Sequence, residues 1–165
     1  MRAVKLLGVL LSILLMAGCS SSKFKSYTGP AVTQVLVEKD ARKLYLLNGT
    51  RVLKSYNVHL GFSPRGHKSI EGDGRTPEGQ YIINRRNPNS EFHLSIGISY
   101  PNVDDIARAR ALGKSPGGDI FIHGRPKKYR DGKSDWTAGC IAVTDRQMEE
   151  IYSMVKNGTP ILIKQ

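Results

Sequence analysis

The chain is short of thiols, rings and acid. Of its 165 residues two are cysteine, one is tryptophan, and 7% are aromatic. Two cysteines cannot build a disulfide framework, so a small stapled scaffold is excluded and the fold must rest on an apolar core. Histidine, cysteine and carboxylates nowhere converge at metal-ligand spacing, which leaves zinc a weak reading; no metal and no cofactor are expected. Acidic residues number 14 against 25 basic ones, for a formal charge of +11. The excess is scattered over loops, with small clusters at Arg85-Arg86 and Lys127-Lys128. No helix carries a basic stripe and no nucleic-acid motif is present, so an anionic surface is a better partner than nucleic acid. Repeats and low-complexity tracts are missing too. So is the run of roughly 20 apolar residues needed to cross a bilayer.

The longest apolar run is Leu6 to Met16, broken by Gly8 and Ser12 and preceded by Arg2 and Lys5. A positive start, a short apolar stretch and small residues make a signal peptide. The ending Met16-Ala17-Gly18-Cys19 resembles a bacterial lipobox, in which the cysteine is lipidated and becomes the new N-terminus. An ordinary signal peptide or an uncleaved anchor is the plainer alternative. The expected organisation is a leader over residues 1–19, a polar tether over 20–31 and one domain over 32–165. Ser20 is not acidic, which favours an outer-membrane lipoprotein facing the periplasm. Removing the leader leaves 146 residues, with 23 basic against 14 acidic and a net charge of +9. That length supports one domain with a core. If Cys19 carries lipid, Cys140 is a lone thiol in an oxidising compartment, either buried and inert or kept for its reactivity; a Cys19–Cys140 disulfide is the minor alternative.

Residues 32–38 and 42–47 read as strands around a turn at Lys39-Asp40-Ala41, and Asn48-Gly49 signals a hairpin. The next strand alternates, with Val52, Tyr56, Val58 and Leu60 on one face and Leu53, Ser55, Asn57 and His59 on the other. Residues 61–79 read as a loop. Gln80 to Asn84, Leu94 to Ser99, Asp119 to Ile122, Ile141 to Val143 and 161–163 read as further strands. A first helix is expected after the cap Asn102, with Asp104 and Asp105 in its first turn and Gly113 at its end. A second begins at the capping box Thr144/Gln147 and buries Met148, Ile151, Tyr152 and Val155 before Gly158 and Pro160 stop it.

This places His123 at a strand end and Cys140 at a strand start. A histidine within reach can take the proton of a thiol, and Gly139 leaves backbone amides free to face a developing oxyanion. Gly124 would permit close approach of a substrate backbone. A paired imidazole should also favour thiolate, so that Cys140 is alkylated below the ordinary thiol pKa of roughly 8.5. Residue types alone leave this open against a buried structural cysteine and a core histidine. Asp135 or a backbone carbonyl could orient His123. Trp136 is a packing anchor or a cleft wall. His93 could line the cleft or serve its strand; His59 and His67 read as structural or solvated. Tyr100 and Pro101 read as a turn.

His123-Gly124 followed by Thr137-Ala138-Gly139-Cys140-Ile141 resembles the signature of the L,D-transpeptidase (YkuD-type) catalytic domain, in its ErfK/YafK-like branch. Gly72 to Gly79, which contains Thr76-Pro77-Glu78-Gly79, is similar to an upstream element of that family, as are Ser99-Tyr100-Pro101-Asn102 and Pro116-Gly117-Gly118. The resemblance implies a β-rich α+β fold, a mixed β-sandwich with two flanking helices. It implies Cys140 as the acylated nucleophile, His123 as its base, Gly139 at the oxyanion hole, and substrate contacts at Gly124, Thr137, Ala138, Tyr100 and His93. Two positions depart from the family pattern. Ala138 stands where many members have histidine, and Ala142 where many have arginine. The missing arginine removes a partner for a substrate carboxylate, a role open to Arg125, Lys127, Lys128 or Arg75. The implied activity is transpeptidation of peptidoglycan stem peptides through a cysteine thioester. A hydrolase of the same fold, cutting a stem peptide or a wall-linked lipoprotein bond, and a non-catalytic wall-binding lipoprotein are the alternatives.

Overall fold

The computed structural model describes residues 22–125 and 134–165. Cys19 with its leader, and Lys127-Lys128, lie outside the described residues. The elements run β1 (Gln34–Glu38), β2 (Lys43–Asn48), β3 (Arg51–Asn57), β4 (Gly79–Asn87), β5 (Ser95–Ile98), α1 (Val103–Ala111), β6 (Phe121–His123), β7 (Ile141–Ala142), α2 (Asp145–Met154) and β8 (Pro160–Lys164).

The strands form one mixed sheet in the order β3-β2-β1-β8-β4-β5-β6-β7. β1 with β8 and β6 with β7 are parallel, and the remaining neighbours are antiparallel. β4 is the spine. Its first half, Gly79–Ile82, pairs with β8; its second half pairs with β5 after a register irregularity between Ile83 and Arg85. Such an irregularity bends a strand, and here the sheet curls. The chain beyond β3 then reaches the opposite edge, where His59 bridges Ala142 and Gly61 bridges Thr137. The expected β-rich α+β architecture is therefore present as a single curled sheet with two helices.

Alternation builds the core. Val35 and Val37 of β1, Leu44 and Leu46 of β2, and Ile161 and Ile163 of β8 are buried, their neighbours less so. The α2 helix starts at the Thr144/Gln147 capping box and buries Met148 and Ile151, with Val155 just beyond its end. Burying each of those two side chains contributes about 1.5–3 kcal/mol of transfer free energy. The α1 helix is capped by Asn102, whose backbone N–H donates in turn to Asp105; that carboxylate is buried and also accepts from Tyr81 at 2.9 Å.

Three local expectations are corrected. Val52 is exposed and Leu53 packs on the core, because the pairing of β2 and β3 shifts at Leu46/Leu47. One extra residue on a strand exchanges the faces of those beyond it. The hairpin turns at Gly49-Thr50 rather than at Asn48-Gly49, since Asn48 pairs with Arg51. And β4 continues through Arg85 and Arg86, which charge alone places in a loop: Arg86 lies 3.8 Å over the Tyr152 ring and Arg85 4.4 Å over Phe121. Stacked guanidinium groups tolerate strand positions that a solvated charge does not. Residues 22–31, expected as a tether, lie along the domain, with Tyr27 packed on the core and Lys25 paired with Glu149 at 3.0 Å.

Candidate active site

His123 is the last residue of β6, and Cys140 immediately precedes β7. The two strands are parallel, with Ile122 opposite Ile141 and His123 opposite Ala142. Continuing that register sets Cys140 beside Phe121, whose amide donates to Sγ at 3.4 Å. Side chains of residues two apart share a face of a strand, so Cys140 and His123 face the same way, one diagonal step apart. That face is the floor of a cleft of about 510 Å3. Phe92, Phe121 and Trp136 supply apolar walls, and Asn87, Ser90, Glu91, Ser95, Asp119, Thr137 and Ala138 complete the lining around the two residues.

The imidazole is held in one tautomer. Its Nδ1 sits 2.7 Å from the Gly124 carbonyl oxygen, which can only accept, so Nδ1 carries the hydrogen and Nε2 keeps its lone pair. The orienting group left open by the sequence is thus a backbone carbonyl. Asp135 does other work: it takes a forked bond from Arg42 and accepts the Leu60 amide at 2.9 Å. Phe92 lies 4.5 Å from the His123 ring at 37°, and Trp136 meets it edge-on at 5.7 Å. His123 is 4% exposed as a result. Burial pulls its pKa below the ordinary value, with the Gly124 bond acting the other way.

The thiol is shifted in the opposite sense. Burial pushes its pKa up, Asp119 adds to this, and the Phe121 amide and Lys68 oppose it. Its hydrogen is directed at the Asp119 carbonyl oxygen, 3.4 Å away. Both shifts favour the neutral form of their group. They run against the expected early thiolate, since desolvation disfavours both charges.

The loop before the thiol is fixed by backbone contact. Thr137 is 5% exposed; its hydroxyl donates to the Cys140 carbonyl at 2.7 Å and accepts the Gly139 amide at 3.2 Å. That occupies the Gly139 N–H and leaves the Cys140 amide, for which the described residues supply no acceptor. Gly139 has φ +136, and a Cβ there would stand 2.7 Å from the Arg75 carbonyl oxygen. At Gly61 a Cβ would meet the Gly74 oxygen at 2.0 Å and Gly139 Cα at 3.0 Å. Glycines thus let three backbone segments close under Cys140. The segment at 72–79 is anchored by two buried lysines. Lys39 donates to Glu78 at 2.6 Å and to the carbonyls of Gly66 and Thr76; Lys68 donates to Asp73 at 3.0 Å.

The family model described as the L,D-transpeptidase catalytic domain (YkuD) matches residues 33–163. This chain belongs to that family. YafK of Escherichia coli (strain K12), provisionally named an L,D-transpeptidase, is 29% identical over 131 residues, covering 76% of this chain and 47% of its own. The crystal structure of the helical cell shape determining protein Pgp2 from Campylobacter jejuni superposes with a TM-score of 0.66 at 26% identity, over 88% of this chain and 52% of that one. An L,D-transpeptidase from Mycobacterium smegmatis shares the fold, with a TM-score of 0.55 at 15% identity, over 82% of this chain and 59% of that one. The chain thus spans about half the length of YafK and of Pgp2.

Within this L,D-transpeptidase domain the remaining candidates divide. Ala138 is exposed at the mouth of the cleft. Gly124 is packed against the chain itself: a Cβ would meet Asp145 Oδ1 at 2.5 Å and the Phe92 oxygen at 2.7 Å. His93 points away from the lining and bonds Glu149 through Nε2 at 3.0 Å. Tyr100 is buried and donates to the Pro116 carbonyl at 2.9 Å, shaping the turn at Tyr100-Pro101. His67 joins the Glu78 amide to Asp105. Arg125 lies 5.6 Å over Trp136 and 3.0 Å from His59 Nε2. Phe92, Phe121 and Asp119 are lining residues that sequence reasoning missed. The available signal was their position, three residues before the β5 start and within two of the β6 start.

Proposed function

We propose that this domain is a cysteine-dependent acyltransferase acting on peptidoglycan stem peptides, and that Cys19 carries a lipid holding it at the outer membrane, facing the wall. One observation carries the reading: Cys140 and His123 share one face at the floor of a cleft, with the imidazole fixed so that Nε2 is the free base. The role of Pgp2 in helical cell shape supports an action on the wall.

The substrate presents the carbonyl of the diamino acid at stem position three. As Sγ attacks, its proton passes to His123 Nε2, so the neutral pair becomes charged only while the carbonyl oxygen gains charge. The Cys140 amide faces that oxygen, and a preorganised donor of this kind accounts for about 2.7–4 kcal/mol in other acyl-transfer enzymes. The imidazolium then returns the proton to the departing D-alanine amine, leaving a thioester on Sγ. An acceptor amine enters, gives its proton to Nε2 and takes the acyl group, and the thiol is restored. Phe92 and Trp136 cover the imidazole and limit water, which favours an amine acceptor over hydrolysis.

Mass spectrometry of purified wall peptides incubated with the full-length protein in detergent tests the reading. Crosslinked dimers that disappear with Cys140→Ala are expected. Shortened monomers would make the domain a carboxypeptidase or amidase of the same fold. An unchanged peptide pool with tight wall binding would make it a binding lipoprotein.

A further inference from the structure

We propose that Lys23 and Lys25 are positioning residues for His123: the strap over residues 22–31 latches the loop that holds Phe92 against the imidazole. Lys23 Nζ donates to the Pro88 carbonyl at 2.6 Å and to the His93 carbonyl at 3.4 Å. One ammonium thereby ties both ends of the connection between β4 and β5. Lys25 Nζ pairs with Glu149 at 3.0 Å, and the other oxygen of Glu149 meets His93 Nε2 at 3.0 Å. Phe24 lies 6.3 Å from the Tyr152 ring of α2, and Tyr27 packs on the core, which gives the strap two further contacts.

The loop needs holding. His93 is a non-glycine residue at φ +72, a left-handed conformation that persists only where the surroundings over-determine it. Its neighbour Phe92 has its ring on His123, while the Phe92 carbonyl accepts the Gly124 amide at 3.0 Å and the Leu94 amide at 2.9 Å. The loop position therefore sets how closely the ring covers the imidazole, and that cover sets how much water reaches it. A lysine suits the task, because a compact ammonium with three donors can bridge two carbonyls. Burial works against ionisation of Glu149, yet Lys25 and His93 hold its carboxyl below the usual range, so the latch is charged at neutral pH. Lys23 stands four residues after Cys19 in the sequence, so an anchor at that cysteine draws on the same latch.

The proposal rests on the functional reading only in taking His123 as the base for Cys140. Its test needs no substrate. In the full-length chain in detergent micelles, the His123 ring is followed by NMR against pH, assigned with His123→Gln, and Cys140 alkylation is timed by peptide mapping. Lys23→Met and Lys25→Met should each raise the His123 pKa by about half a unit or more, about threefold in proton affinity. Cys140 should be alkylated faster in both as the wall loosens. Lys23→Arg, which keeps several donors, should restore the wild-type titration. A strap that merely stabilises the fold would lower the melting temperature and leave the His123 titration in place. Wild-type titration and alkylation in both methionine variants overturns the proposal; if Lys23→Met does not fold, Lys25→Met decides alone. Lost crosslinking with an intact latch response would sink only the acyltransfer reading.

Discussion

Gly139→Ala adds one methyl group next to Cys140 and removes none of the side chains of the proposed chemistry. The methyl meets a backbone oxygen, Arg75 O at 2.7 Å, and the Ile120 Cδ1 at 3.2 Å. Ile120 can turn, but the Arg75 carbonyl belongs to the segment anchored by Lys39, Glu78 and Lys68 and cannot move cheaply. At φ +136 a residue with a side chain is also strained, by about 1–3 kcal/mol. Overpacking adds about 1–3 kcal/mol. The sum is about 2–6 kcal/mol, which for a chain of this length lowers Tm by about 4–24 °C. Relief of the clash shifts Cys140, and a displacement near 1 Å at a reacting group costs about 10²-fold in rate. Thermal unfolding and acylation of Cys140 by a wall peptide measure the two effects. Gly113→Ala is the control, at φ +64 with nothing within 4 Å of its Cβ; it carries only the conformational part, about 1 kcal/mol. A Gly139→Ala protein that melts within about 2 °C of wild type and acylates normally would refute the account of the nucleophile loop.

Cys140→Ala should abolish turnover with the fold intact by circular dichroism, and His123→Ala should slow it by about 10²–10⁴. Because burial lowers the His123 pKa, the acid limb of kcat/KM should lie below the ordinary histidine value of about 6.5; a limb above it would contradict that shift. The same shift has a stability sign. Below about pH 6.5 the unfolded chain binds the proton first, so stability falls as pH drops toward the lower folded pKa, which urea midpoints read directly. Glu78→Ala strips the carboxylate from the fully buried Lys39 ammonium. With two carbonyl acceptors remaining and Glu78 itself partly exposed, the loss should be about 2–3 kcal/mol in urea unfolding, below the 3–5 kcal/mol of a pair broken in full burial. Cys19→Ala should move the protein out of the membrane fraction or leave its leader unprocessed.

How the site is assembled depends on both levels of structure. The period-two alternation of Val35/Val37 and Leu44/Leu46, the Thr144/Gln147 capping box and the pairing of a histidine–glycine with a glycine–cysteine were all legible in the chain, because each is a local pattern with one cheap solution. The sequence by itself therefore determined the β-rich class, the helix caps and the family signature that holds His123 and Cys140. Which residue each of these touches was decided elsewhere. Leu53 faces inward only because of a bulge against a distant strand. The carbonyl that orients His123, the fate of the Gly139 amide and the aromatic cover of Phe92 arise from contacts between segments far apart in sequence. Burial set the direction of both pKa shifts as well: each comes first from desolvation, a property of the packed cleft and of no single residue type. A histidine and a cysteine in one motif suggest an ion pair; only the tertiary structure, which draws water away from both, shifts each toward its neutral form.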